Sequence, residues 1–566
     1  MDYGALVDVY ERLAATDADT EKRAILAETL ADADGDRLPL FVKLLQGNLF
    51  AAHRSDDLGV SSSLTAEAVA KATGVSPDAI EEDWKETGDL GGAAERAVAD
   101  APQETLFSES LTVERVHDDL RALADYEGEG SERRRVDAVA GLVADADPVE
   151  AKYVVRTALG HLRIGVGEGT VRDALADAFL DGSAAAVDAV ERAYQVTNDY
   201  TLVAETARDE GREGLDALDV ELFRPVGAML ADDSDGLADG VESVADDPTD
   251  VLAESKYDGA RVQLHRDGDE VRIYTRRLED VTEQFPDVVR AVREHVDADR
   301  ALLDGEVVGY DPETREPVPF QTFSRRIRRK YDIPEMVEEI PVVVYLFDCL
   351  YLAGETLLDR PLRERVDRLE SVLSPSPYDV ERAANRRYAD GGEAGLRELY
   401  EETLAAGHEG LMLKNLDAAY QPGRRVGRMT KVKPVMEPLD LVVTRARYSE
   451  GRRSSMLGRL YLACRGPDGE GGDDLREVGR LSTGYTDAEL ADLTDRLEEL
   501  VTERDGREVR LAPEVVLEVA YEEIQASPEY DSGYALRFPR FERVREDLAP
   551  SDADTVERVE GLYKEQ

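Results

Sequence analysis

A change of hydrophobic rhythm near residue 231 constrains this 566-residue chain more than any other feature. Before it, apolar residues recur at helical steps: Leu6, Tyr10 and Leu13, then Leu26 and Leu30, then a dense run from Leu38 to Leu49. That spacing gathers them on one helix face. Short polar breaks such as Gly128-Glu129-Gly130-Ser131 separate one helix from the next. An Asp- and Gly-rich stretch, 231–250, ends this texture. Strands follow at Val262-Gln263-Leu264-His265, Val271-Arg272-Ile273-Tyr274, Ala301-Leu302-Leu303 and Val342 to Phe347, alternating with helices such as Leu362 to Leu373. From Leu439 onward short β-rich runs dominate, with one helix around Asp487 to Glu503. The reading is an all-α domain over 1–216, a mixed α/β domain over 217–436, and a small β-barrel over 437–566.

Charge bears on what such a chain can bind. It holds 123 acids against 69 bases, a net charge of −54, which ordinarily argues against a polyanionic partner. The bases are 11 lysines and 58 arginines. Abundant Asp and Glu with almost no Lys fits a protein kept hydrated in concentrated salt. There the Debye length falls to about 3 Å at 1 M, so net charge no longer excludes nucleic acid. An acidic scaffold is the rival explanation, but the acid is spread along the whole chain rather than gathered in a tail. Two cysteines, Cys349 and Cys464, supply neither a disulfide framework nor a four-cysteine zinc site. The start, Met1-Asp2-Tyr3-Gly4, lacks the pattern of a signal peptide, and the longest apolar stretch, Ile340 to Phe347, is too short to span a bilayer. These features predict a cytoplasmic protein without a membrane segment.

The chemistry concentrates in the few lysines. Lys256 sits in Glu254-Ser255-Lys256-Tyr257-Asp258-Gly259-Ala260-Arg261, just before the first clear strand. A free lysine amine can attack phosphorus, and arginine cannot replace it because its guanidinium stays protonated. Lys431 and Lys433 alternate in Met429-Thr430-Lys431-Val432-Lys433, so they share one face of a strand and call for an anion. Lys414 ends the apolar run Leu411-Met412-Leu413. Glu306 and Glu409 flank apolar strands, where carboxylates either stay solvated or hold Mg²⁺. Phe347 reads either as core or as a platform for a base. No Gly-Lys pair occurs, which excludes a P-loop.

Taken in order, these strings resemble the nucleotidyltransferase motifs of ATP-dependent DNA ligases of the archaeal type. The series runs Lys256-Tyr257-Asp258-Gly259 with Arg261, Thr275-Arg276-Arg277, Asp304-Gly305-Glu306, Tyr345-Leu346-Phe347-Asp348, Glu409-Gly410-Leu411-Met412-Leu413-Lys414 and Lys431-Val432-Lys433. Arg537-Phe538-Pro539-Arg540-Phe541 with Arg543, Arg545 and Asp547 closes it. Glu150 to Arg156 and Leu162 to Gly167 are similar to the family's helical DNA-binding domain.

The resemblance implies an adenylation domain and a C-terminal OB-fold, with Lys256 as the adenylylated nucleophile. Glu254 and Phe347 would contact adenine; Arg261, Arg276, Glu306 and Arg425 would hold ribose and phosphates. Lys431 and Lys433 would bind the α-phosphate and the nick phosphate. Glu306 and Glu409 would carry Mg²⁺, and Arg540 would orient pyrophosphate. It further implies ATP as the nucleotide, nicked double-stranded DNA as the partner and a monomeric enzyme. Arg156, Arg163 and the run Arg325, Arg326, Arg328, Arg329, Lys330 are the candidate DNA contacts. Gln103 to Phe107 reads either as plain loop or helix sequence or as a string binding the sliding clamp (PCNA). Met429 and Leu548 depart from the family's usual Trp and Lys. An RNA ligase, a capping enzyme and a non-catalytic scaffold are the alternatives at this stage.

Overall fold

The computed structural model describes the whole chain except residues 1, 34, 48, 51–57, 102–109, 127, 129, 330, 435, 450–455, 468–473 and 566. The chain divides into two units, Met1–Lys433 and Pro434–Gln566.

The first unit begins with helices, from Tyr3–Ala14 to Tyr200–Ala217, as the apolar spacing predicts. Their inward stripes form one core, with Tyr3, Leu6, Tyr10, Leu13, Leu26 and Leu30 all essentially inaccessible to solvent. Eleven strands follow: β1 (Leu230–Asp233), β2 (Val251–Lys256), β3 (Ala260–Asp267), β4 (Glu270–Thr275), β5 (Arg300–Gly309), β6 (Val342–Leu352), β7 (Glu355–Thr356), β8 (Val380–Arg382), β9 (Asn385–Arg387), β10 (Gly410–Asn415) and β11 (Arg425–Val432).

They build two sheets, ordered β1-β11-β10-β2-β9 and β4-β3-β5-β6-β7, with β8 beside β6. Side chains alternate between faces. Val251 and Ala253 therefore enter one core with Leu411, Leu413 and Val432. Glu254 and Lys256 are left on the opposite face, toward the second sheet. The Lys414 ammonium lies 4.2 Å from the centre of the Phe347 ring, so the two sheets meet there across a cleft.

Two glycines permit close approach near Lys256. A Cβ on Gly410, whose φ is +131°, would lie 2.2 Å from the Val432 carbonyl oxygen. One on Gly259 would lie 2.4 Å from that of Val307. An ion pair joins the helical region to the sheets: Arg424 pairs with Glu191 at 2.8 Å.

The second unit is strand-rich. Leu439–Arg447 pairs with Arg459–Arg465, Glu508–Leu511 and Val516–Ala520. The helix expected over 487–503 stops at Glu498, with a Thr486/Glu489 capping box at its start. Its predicted tail is instead the strand Val501–Asp505, which folds back on Glu508–Leu511 through a left-handed Gly506. Leu548 packs against Val442, Val516 and Ala553, which accounts for an apolar side chain there. Met429, in the first unit, is likewise buried, beside Met229, Leu302 and Tyr420. Among the described residues no helix is long and apolar enough to cross a membrane.

Candidate active site

Lys256 ends β2, and the amide of Glu409 donates to its carbonyl at 2.9 Å. That bond brings the Glu409 carboxylate to the Lys256 ammonium, with which it pairs directly. Lys433 reaches the same carboxylate oxygen at 2.9 Å, and Lys431 pairs with Asp233 at 2.9 Å. Met412 stands opposite both Glu254 on β2 and Lys431 on β11, which sets the register of this charged face. Burial would raise the Glu409 pKa, but the two ammonium groups outweigh it and hold the carboxyl well below its usual range.

Glu306 behaves in the opposite way. It lies on β5 between Arg261 and Tyr345. Burial pushes its pKa up to about 8, against the pull of Lys256 and Arg261 and with help from the Glu409 and Asp304 charges. Burial outweighs the two cations near this carboxyl, so its oxygens would gain further from a divalent cation.

The sign of the shift sets a stability slope. Between the ordinary value of 4.5 and about 8 the folded state keeps a proton that the unfolded chain has lost. Stability of the ligand-free protein therefore falls as pH rises through that window. Glu306→Gln should flatten the slope and stabilise the protein at the alkaline end by a few kcal/mol. Thermal melting across the window checks this; an unchanged slope would remove Glu306 as its source.

The other end of the cleft is built for a flat ring. Glu254 is 2% exposed and paired with Lys414. The Phe347 ring carries Lys414 at 4.2 Å and Arg261 at 5.6 Å. Burial moves the Glu254 pKa upward, with Lys414 opposing. A carboxylate edge, an ammonium and an aromatic face together can hydrogen-bond and stack a heterocycle. Tyr257 stacks on Tyr345 at 3.9 Å behind the nucleophile's strand.

Arg261 makes a two-pronged pair with Asp304 at 3.1 and 2.7 Å. Sequence reasoning missed Asp304 and Tyr420 as partners of this site. Arg276 is exposed just past β4. Arg425 is also exposed, 3.5 Å from Asp232. Arg540 is exposed at the first position of the strand Arg540–Val544, in the second unit.

The cationic candidates separate by burial. Arg326 is fully buried: its guanidinium donates to the Ile340 carbonyl at 2.7 Å and the Gln284 carbonyl at 3.2 Å, and pairs with Asp287. This corrects its reading as a DNA contact, because no polyanion can reach it. Arg156 is 11% exposed and spent on Asp89 at 2.6 Å and on the Leu162 carbonyl at 3.2 Å. Its place is behind the 162–167 loop, on which the left-handed Arg163 (φ 57°) is anchored to the Gly88 carbonyl. Arg325 pairs with Glu339 at 3.0 Å and Arg329 with Asp332 at 3.0 Å, both largely exposed, and Arg328 is exposed. Lys330, Gln103 and Phe107 lie outside the described residues.

Comparison with known proteins bears on this geometry. Residues 228–433 match the family model described as ATP dependent DNA ligase domain. Residues 2–176 match DNA ligase N terminus, and 453–548 match ATP dependent DNA ligase C terminal region. A DNA ligase of Natronomonas pharaonis is 46% identical over 96% of each chain. One from Haloarcula marismortui is 44% identical over the full length of both, and one from Thermococcus fumicolans 42% identical over 100% of this chain and 98% of that relative. A solved structure described as "Pmar-Lig_Pre." has the same fold, with a TM-score of 0.58 at 16% identity over 95% of this chain and 99% of its own.

Proposed function

The chain belongs to the family of ATP-dependent DNA ligases of the archaeal type, and from that premise we propose that Lys256 is the residue that carries AMP. The observation that supports this most is the setting of its amine: at a strand end, on the cleft face, sharing one carboxylate with Lys433. The amine must leave Glu409 and lose a proton before its lone pair attacks the α-phosphorus of ATP. The N–P bond then forms as the bond to pyrophosphate breaks. An oxygen of the nick's 5′-phosphate next displaces Lys256 from AMP, and the amine regains a proton. The 3′-hydroxyl finally attacks the activated phosphorus, closing the strand and expelling AMP.

Each transfer gathers negative charge on the phosphoryl oxygens and the leaving group while entering and leaving atoms stand in line, so fixed cations do most of the work. Lys431 and Lys433 supply them at the phosphate end, and Arg276 and Arg425 at its rim. Glu254 and Phe347 hold the adenine edge and face. Arg540 orients the pyrophosphate. Glu306 and Glu409 would hold Mg²⁺: both are oxygen donors, and burial leaves the Glu306 carboxyl underscreened even with Lys256 and Arg261 nearby. The metal, when bound, neutralises phosphate charge.

Residues 1–216, 217–436 and 437–566 would serve as DNA-binding, adenylation and OB-fold domains of a monomeric cytoplasmic enzyme. Arg163, Arg325, Arg328, Arg329 and Lys330 would grip the nicked duplex. Incubation with ATP and Mg²⁺, followed by intact-mass measurement, tests the proposal: a gain of one AMP is expected, and no gain rejects it.

Gln103 and Phe107 would engage the sliding clamp through one inserted aromatic. Phe107→Ala should remove clamp stimulation of sealing, about a tenfold loss or more if the ring is an anchor. Undiminished stimulation would end that reading.

A further inference from the structure

Arg261 has five N–H donors, and the fold takes four of them. Nε donates to Asp304 Oδ1 at 3.1 Å and Nη2 to Asp304 Oδ2 at 2.7 Å. Nη2 also reaches the Tyr420 hydroxyl at 3.2 Å, and Nη1 reaches the Met229 carbonyl at 2.6 Å. One N–H, on Nη1, remains.

The Tyr420 hydroxyl is the knot of this arrangement. It donates to Asp304 at 3.0 Å and accepts from the Met229 amide at 3.1 Å as well as from Arg261, which fills its hydrogen-bonding capacity. Its ring is 4% exposed, and its own amide is tied to the Leu358 carbonyl at 2.7 Å. Asp304 is fully buried.

We infer that Tyr420 is a positioning residue for the nucleotide: with Asp304 and the Met229 backbone it locks Arg261 so that this arginine offers a single fixed hydrogen bond, to a ribose hydroxyl rather than to a phosphate. Two observations choose the acceptor. The Asp304 carboxylate already neutralises the guanidinium, so Arg261 has little charge left to attract phosphate. Arg261 also lies 5.6 Å from the centre of the Phe347 ring, which Lys414 approaches at 4.2 Å, so it belongs to the ring-binding end of the cleft. The inference rests on the reading that Arg261 touches the nucleotide.

Single-turnover self-adenylylation with ATP and with 2′,3′-dideoxy-ATP tests it on the full-length protein. The unaltered enzyme should bind the dideoxy analogue about tenfold more weakly, the worth of one good hydrogen bond. Tyr420→Phe keeps the ring and removes the knot; Asp304→Asn loosens it from the other side. Both should erase most of that discrimination, with a larger effect on nucleotide affinity than on the rate at saturation. A lower melting temperature with discrimination intact would mean a purely structural role and overturn the inference.

Arg261→Lys separates the two levels of the argument. If it abolishes discrimination and the Tyr420 and Asp304 variants do not, Arg261 reads the ribose without their help. If it changes nothing, Arg261 does not touch the nucleotide and both readings fall. Equal use of the two nucleotides by the unaltered protein would do the same.

Discussion

Replacing Lys256 by arginine is expected to eliminate the covalent AMP adduct and to lower nick sealing from ATP by about 10⁴-fold or more, the scale seen when a nucleophile is removed. Arginine is the informative substitute because it keeps the positive charge that pairs with Glu409. It cannot present a lone pair, since the guanidinium does not deprotonate. Loss of activity in Lys256→Arg therefore reports missing nucleophilicity rather than a collapsed ion cluster. The same variant should still close a nick whose 5′-end already carries AMP, because the last transfer forms no bond to Lys256. An AMP-sized mass gain on the Lys256→Arg protein would place the nucleophile elsewhere. Failure to seal the pre-activated nick would show that the substitution had damaged the site more broadly.

How much of this was legible in the sequence follows from the range of the interactions involved. Period-two spacing was enough to put Lys431 beside Lys433, because a strand's face is a local property. The strand Val251–Lys256, which sets Glu254 on the same face as Lys256, was missed, since the sequence reading puts Lys256 just before the first clear strand. The pairing of Glu409 with Lys256 is nonlocal and was missed too: the sequence reading puts Glu409 only beside an apolar strand, although the glycine after it stands where the backbone nearly touches Val432. Tyr420 carried no such signal. It stands outside any helix or strand, and its partners Asp304 and Met229 are distant in the chain. The error over 487–503 had a local cause: Val501 and Thr502 are β-branched and continue a helical pattern only in their polarity. The Arg325 to Lys330 run misled by density. Its helix, Phe320–Ile327, turns Phe323 and Arg326 to the same side, three residues apart, and Phe323 is core. The helical period could have flagged Arg326 as inward, but the acid that receives it, Asp287, is far off in sequence.

That distinction yields the second large effect. Arg326→Met should destabilise the protein by about 3–5 kcal/mol, because it strands a largely buried Asp287 carboxylate and two carbonyls without their donor. Methionine nearly fills the volume and keeps contact with the Phe285 ring, on which the guanidinium now sits at 4.9 Å. The loss would therefore measure unpaired polar groups more than a cavity. Arg328→Ala, on an exposed neighbour, should leave melting within about 0.5 kcal/mol. Its effect should appear in nick affinity, with the slope of log affinity against log salt reduced by about one. Melting and nick binding of the two variants over a range of KCl separate strut from contact. If Arg326→Met melted normally and lost nick affinity with a reduced salt slope, the guanidinium would have to reach the phosphates after all. The burial that removes it from the DNA face would then have to open when duplex binds.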